Sequence, residues 1–161
     1  MLRAVIFDFD GLILDTETPE YHAWQEIYRR HGAVLALDDW LPCIGTGLVF
    51  DPHVHLETLT GKTLDRQEIA SAHKCCSEKL IARETLRPGV LATLQSARDT
   101  NLRIGLASSS SRAWVEPHLS RLGIAEFFET LQTSDLVEAV KPHPELYQRA
   151  LAALGVDASE A

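Results

Sequence analysis

The stretch from Arg3 to Asp8, RAVIFD, constrains this chain more than any other. It is a near-continuous run of β-favouring residues. A strand with apolar side chains on both faces belongs inside a parallel sheet. Asp8, Asp10 and Gly11 end the run abruptly. Acids at the C-terminal end of a buried parallel strand stand where open α/β sheets place their ligands.

The rest of the chain supplies partners for such a strand. From Thr18 to His31 the pattern is helical, with Thr18 as cap and Pro19 at the first helical position. Tyr21, Trp24 and Tyr28 recur on one face, and Gly32 is the stop. Asp65 and Glu68 have capping-box spacing and open a helix with Ile69, Ala72, Cys76 and Leu80 on one face. No strand pattern is convincing between Thr16 and Ala82. At Arg87-Pro88-Gly89 the chain punctuates, and Val90, Leu91, Leu94 and Ala97 begin a new helix. Arg103 to Ala107 is a second strand, followed by the serines 108 to 111. A helix over about 112–122 carries Pro117, which removes a helical hydrogen bond and predicts a kink. Thr130 to Thr133 reads as a weak third strand. Pro144 to Leu154 is a helix that Gly155 stops, and the final VDASEA reads as a turn. This order predicts an α/β fold: a parallel-sheet core from residues 1–15 and 84–161, and a helical cap from residues 16–83.

Composition narrows the function. With 161 residues, 45% of them apolar, the chain suits one core plus a small satellite, not two full domains. Its formal net charge of −8 gives no electrostatic reason to bind nucleic acid or an anionic membrane. No run approaches the roughly 20 apolar residues of a membrane span. The N-terminal run is too short for a signal peptide, and acids interrupt it. Cys43, Cys75 and Cys76 fit reduced, part-buried thiols better than disulfides or a zinc site. A cytoplasmic location is expected.

The chemistry centres on Asp8-Phe9-Asp10-Gly11. One acid of such a pair can attack while the other donates and accepts a proton. The two are expected to reach one site through a backbone turn, for which Gly11 supplies the freedom. The plainer alternative is an acidic strand-to-loop junction, but the apolar strand running straight into D-x-D-G favours function. His53 and His55 are expected to form a surface or half-buried pair, and His118 and His143 to lie at the surface. Trp24, Trp40 and Trp114 are expected to anchor the core. Ser110 and Ser111 suit a polar loop or a helix N-cap.

The segment FDFDGLILDTE resembles the first motif of the haloacid dehalogenase-like superfamily, in the branch of beta-phosphoglucomutase, phosphoglycolate phosphatase and related sugar-phosphate phosphatases. Ser108 after RIGLA resembles its second motif, and Lys141-Pro142-His143-Pro144 its third. The resemblance implies a Rossmann-like three-layer core and an inserted helical cap. It implies that Asp8 is a nucleophile forming an aspartyl-phosphate, and that Asp10 is the general acid/base. Ser108 and Lys141 would hold the phosphoryl group. Gly11, Thr16, Ser109, Glu20 and Gly45 would line the phosphate and substrate site. Mg²⁺ would sit on Asp8 and Asp10, and the substrate would be a small phosphorylated metabolite. The family's fourth motif, a pair of acids after a fourth strand, has no counterpart before Ala161. On that ground the core is expected to lack its C-terminal strands. The chain alone is then expected to be association-prone and nearly inactive, and a longer one monomeric. The family's mutase places a histidine shortly after its Asp-Thr and an arginine after the cap glycine. Glu20 near the first place, and no arginine at Gly45-Thr46-Gly47-Leu48, favour a phosphatase over a phosphomutase.

Overall fold

A computed structural model describes residues 1–43 and 50–161. The described chain forms two compact units, Met1–Asp15 with Thr85–Ala161, and Thr16–Glu84. The first unit contains three strands, β1 (Ala4–Phe7), β2 (Arg103–Ala107) and β3 (Thr130–Gln132), and three helices, α5 (Val90–Asp99), α6 (Arg112–Arg121) and α7 (Glu145–Leu154). The second contains α1 (Glu17–Arg30), α2 (Leu37–Trp40), α3 (Pro52–Thr60) and α4 (Arg66–Ile81).

The sheet is parallel throughout, in the order β1-β2-β3, with Val5 opposite Ile104 and Leu106 opposite Leu131. This is an open α/β sheet, as the patterning predicts, with β1 at one edge. β2 lies in the middle and has four consecutive buried residues, Ile104 to Ala107. α7 packs Leu146, Ala150 and Leu154 against it. Gly105 permits that approach, since a Cβ there would stand 3.0 Å from Leu154 Cδ1 and 3.2 Å from Thr130 Cγ2. Fully burying a leucine contributes about 1.5–3 kcal/mol, so the Leu154 contact is a principal tie between helix and sheet.

The strands are shorter than their sequence patterns. β1 stops at Phe7 and β3 at Gln132, so Asp8 and Thr133 lie just past the strand ends. α1 begins at Glu17, with Thr16 at the N-cap position and no side-chain cap bond. Thr18 is therefore inside the first turn, where Glu17 and Glu20 complement the helix dipole. Pro144 is the N-cap of α7, one residue outside the helix. α6 continues through Pro117 to Arg121. The final residues are more ordered than a plain turn. Asp157 and Glu160 form a reciprocal capping box around the 3₁₀ turn Ala158–Glu160. Arg3 pairs with Glu160 at 3.0 Å, and its amide donates to the Glu160 carbonyl at 2.7 Å.

The second unit gathers Ile27, Tyr28, Leu35, Trp40, Leu56 and Ile69 into its own core, with Trp24 packed against it. Trp40 is a core residue, as expected, whereas Trp24 is half-buried against that core. α4 turns Ile69, Ser77 and Ile81 fully inward, while Ala72, Cys76 and Leu80 flank that stripe half-buried. Asp65 caps α4 by accepting from the Gln67 and Glu68 amides. Tyr28 donates to the Pro52 carbonyl at 2.7 Å, and burial pushes its hydroxyl well above the usual phenol range. His55 Nδ1 lies 3.0 Å from the same hydroxyl. His53 is buried rather than at the surface, with Glu57 Oε2 3.7 Å away. Cys75 is exposed, whereas Cys43 and Cys76 are half-buried, and all three are free thiols. Among the described residues, no helix is long and apolar enough to cross a membrane.

Candidate active site

The site forms in the first unit, where β1 and β2 end and the loop after β3 returns. Asp8 and Asp10 are two residues apart, and residues at that spacing on an extended chain share one face. No turn is needed to bring them together. The turn does occur, with Gly11 at φ 74° and its amide bonded to the Leu14 carbonyl at 2.8 Å. Its effect is to end the extended segment. The Ile13 amide bonds back to the Phe9 carbonyl at 2.9 Å, beneath a fully buried Phe9 ring.

The two acids have different partners. Asp8 Oδ1 accepts the Phe9 amide at 2.7 Å and lies 2.6 Å from Lys141 Nζ. Lys141 comes from the loop between β3 and α7. Its ammonium nitrogen is sealed from solvent without a well-aligned hydrogen bond, although the Asp8 oxygen is in ion-pair contact. The interaction is therefore one of charge: the Asp8 carboxylate offsets the desolvation of the ammonium. The Tyr147 ring lies 5.3 Å from the same nitrogen.

Asp10 carries no lysine. Its Oδ2 accepts from Ser110 Oγ at 2.7 Å and from Ser108 Oγ at 3.3 Å. Its Oδ1 accepts from the Trp114 indole Nε1 at 3.0 Å. Ser108 is fully buried just past β2, where its amide extends the ladder to the Gln132 carbonyl at 2.9 Å. Its Oγ also accepts the Ser110 amide at 3.0 Å, which folds the serine loop back over Asp10.

Of the residues singled out by sequence, Asp8, Asp10, Gly11, Ser108 and Lys141 thus come together at one end of the sheet. Ser109 is exposed on the same loop. Thr16 and Glu20 belong to the second unit, where Thr16 is buried at the start of α1 and Glu20 pairs with His73 Nε2 at 3.3 Å. Gly45 lies outside the described residues.

Two contributors escaped the sequence reading. Trp114, expected in the core, is half-buried and bonded to Asp10. Ser110, expected in a polar loop or cap, holds the same carboxylate. Ser111 does occupy the N-cap of α6, but makes no side-chain cap bond. Asp135 supplies it from across the loop, accepting the Arg112 amide at 2.7 Å, and that bond holds the Asp135 carboxyl below its usual range. His118 is not a surface residue. It is half-buried under Trp114 at a ring separation of 4.5 Å, and desolvation holds its imidazole below the usual range. His143 is exposed, as expected.

The donor set for a divalent cation is short. Mg²⁺ demands near-octahedral oxygen coordination. Asp8 Oδ1 already faces Lys141 and an amide, and both Asp10 carboxylate oxygens accept from protein donors. Among the described residues no three His, Cys, Asp or Glu side chains converge. The described residues therefore do not by themselves fit the Mg²⁺ site expected on Asp8 and Asp10.

Residues 5–161 match the family of haloacid dehalogenase-like hydrolases. YhcW of Bacillus subtilis, to which phosphatase activity is ascribed, is 49% identical over 160 residues, which are 99% of this chain and 73% of that protein. A Thermotoga maritima protein described as a beta-phosphoglucomutase shares the fold with a TM-score of 0.81 at 23% identity, over 97% of this chain and 72% of that one. A family hydrolase from Deinococcus radiodurans, solved with bound phosphate and sodium, gives 0.80 at 25% identity over 96% of this chain and 68% of that one. The chain belongs to the haloacid dehalogenase-like hydrolase family. It is an enzyme, a hydrolase of that family.

Proposed function

We propose that this chain is a phosphoric monoester hydrolase acting on a small phosphorylated metabolite through a phosphorylated Asp8. The observation that carries the reading is the separation of roles between the two acids. Asp8 has its charge balanced by Lys141 at 2.6 Å, whereas Asp10 is held by hydrogen-bond donors alone. A carboxylate beside a fixed cation suits attack on phosphorus, because the same cation meets the charge of the phosphoryl oxygens as they arrive. A carboxyl group ringed by hydroxyls suits proton transfer.

In this reading an Asp8 oxygen bonds to phosphorus while the bond to the ester oxygen breaks. The electron pair stays on that oxygen, which takes a proton from Asp10. Asp10, now ionised, removes a proton from water as the water attacks the phosphorus of aspartyl-phosphate. Phosphate leaves, and both acids return to their starting states. Ser108 and the neighbouring amides would steady the phosphoryl group. That the Deinococcus radiodurans relative was solved with bound phosphate supports a phosphate-handling role for this chain.

The test is incubation with acetyl phosphate or a sugar phosphate, followed by acid quenching and mass analysis of the Asp8 peptide. One added phosphoryl group on the wild-type peptide, absent from Asp8→Asn, is the expected result. Release of inorganic phosphate from sugar phosphates identifies a hydrolase. Return of an isomeric sugar phosphate without net phosphate release would instead establish the phosphomutase.

A further inference from the structure

We infer that Trp114 is a positioning residue for Asp10: its indole N–H anchors Oδ1, so that the proton Asp10 transfers is carried on Oδ2. The inference rests on the reading of Asp10 as the acid/base group. An indole N–H only donates, and at 3.0 Å it satisfies Oδ1 as a bare oxygen. Oδ2 faces two serine hydroxyls, at 2.7 and 3.3 Å. A hydroxyl can rotate from donor to acceptor. Oδ2 can therefore gain or lose a proton without losing its neighbours, and Oδ1 cannot.

The indole is itself held in place. Its ring meets His118 edge-on, at a centroid separation of 4.5 Å and an interplanar angle of 68°. His118 lies 6.1 Å from the ring of the fully buried Phe9. The first turn of α6, which carries Trp114, is tied down by the Arg112 amide bonded to Asp135. Phe9 immediately precedes Asp10, so the stack runs from the acid's own backbone, through the rings of Phe9, His118 and Trp114, to its side chain. The consequence is one rotamer for Asp10, with Oδ2 presented to the ester oxygen. The proton on Oδ2 passes to that oxygen as the phosphorus–oxygen bond breaks. The electron pair of that bond stays on the leaving oxygen, and Asp10 is left ionised.

The experiment uses the full chain and the variants Trp114→Phe and Asp10→Ala. Trp114→Phe keeps a flat ring over His118 and removes only the N–H. An alkoxide leaving group needs the proton, and p-nitrophenolate does not. For Trp114→Phe, kcat/KM on glycerol phosphate should fall about tenfold, while on p-nitrophenyl phosphate it changes by less than about twofold, as a partial loss of general acid catalysis predicts. Equal losses on both substrates would reduce Trp114 to a structural role and overturn the inference. Hydrolysis of neither substrate by the wild type would overturn the phosphatase reading of this chain and leave the anchoring contact to be decided by a second measurement. A second measurement needs no turnover. In protein labelled at tryptophan nitrogen, Trp114→Phe identifies one indole N–H resonance, and Asp10→Ala should move that resonance upfield and hasten its solvent exchange. A resonance unmoved by Asp10→Ala would overturn the anchoring contact.

Discussion

Lys141 and Asp8 form the pair on which the proposed chemistry turns, and each half is testable alone. Asp8→Asn keeps the shape and removes the attacking charge, so phosphate release should be lost while the fold persists. Hydrolysis at the wild-type rate would remove Asp8 from the nucleophile role. Lys141→Met keeps the apolar stem and removes the cation. It should lower kcat by about 10²–10³, the scale seen when a charge-stabilising donor is removed. An unchanged kcat with a raised KM would instead assign Lys141 to substrate binding only. Stability has its own residue-scale test at Asp51, the N-cap of α3, which accepts from the His53 and Val54 amides. Arg66 beside it, at 2.8 Å, is the main reason its carboxyl titrates below the usual range. The folded value lies below the unfolded one. Its stabilisation is therefore complete above about pH 4 and is lost as the pH falls through the folded value. Asp51→Ala should cost about 1 kcal/mol at neutral pH, and the difference should shrink below about pH 4. Thermal unfolding at both pH values measures this, and an undiminished difference in acid would contradict it.

Among the elements, β2 and α7 form a contact whose tightness depends on one missing side chain. Gly105→Val would place carbon atoms into the space that Leu154 Cδ1 and Thr130 Cγ2 already approach to 3.0 and 3.2 Å. Overpacking of this kind costs about 1–3 kcal/mol, visible as a lowered midpoint in urea. A neutral result would mean that α7 can move off the sheet freely. The elements also mark how far the sequence was legible. β1, β2 and α7 were readable because their apolar periods are unbroken, and Gly155, at φ 61°, ends α7 where a glycine stop was expected. Asp8, Ser108 and Lys141 were legible through motifs that depend on local order. Trp114 was not, because a large aromatic three residues into a helix has the same pattern whether it turns to the core or to a loop. Only the fold of the four-serine segment, which brings Ser110 and α6 over Asp10, decides between them. The same applies to Ser111: its N-cap position is local, but the carboxylate that caps α6 comes from Asp135, 23 residues beyond the Arg112 amide it accepts.

At the scale of the whole molecule, among the described residues β1 pairs on one side, with β2. Leu2, Ala4, Val5, Ile6, Leu102 and Leu151 line an apolar groove along it. Such an edge invites pairing with another chain, and a charged side chain on it opposes that pairing. The 161-residue chain is therefore predicted to associate as its concentration rises, and Val5→Lys to reduce that association. Light scattering across a dilution series measures both, and a wild type that stays monomeric throughout would contradict the prediction. On the proposed chemistry the carboxylate beside Lys141, and no other, receives the phosphoryl group. The decisive measurement is the mass of the Asp8 peptide after reaction with acetyl phosphate and acid quenching, in the wild type and in Asp8→Asn. One phosphoryl group is expected on the wild-type peptide and none on the variant. Phosphate release without any adduct on Asp8, undiminished in Asp8→Asn, would contradict it.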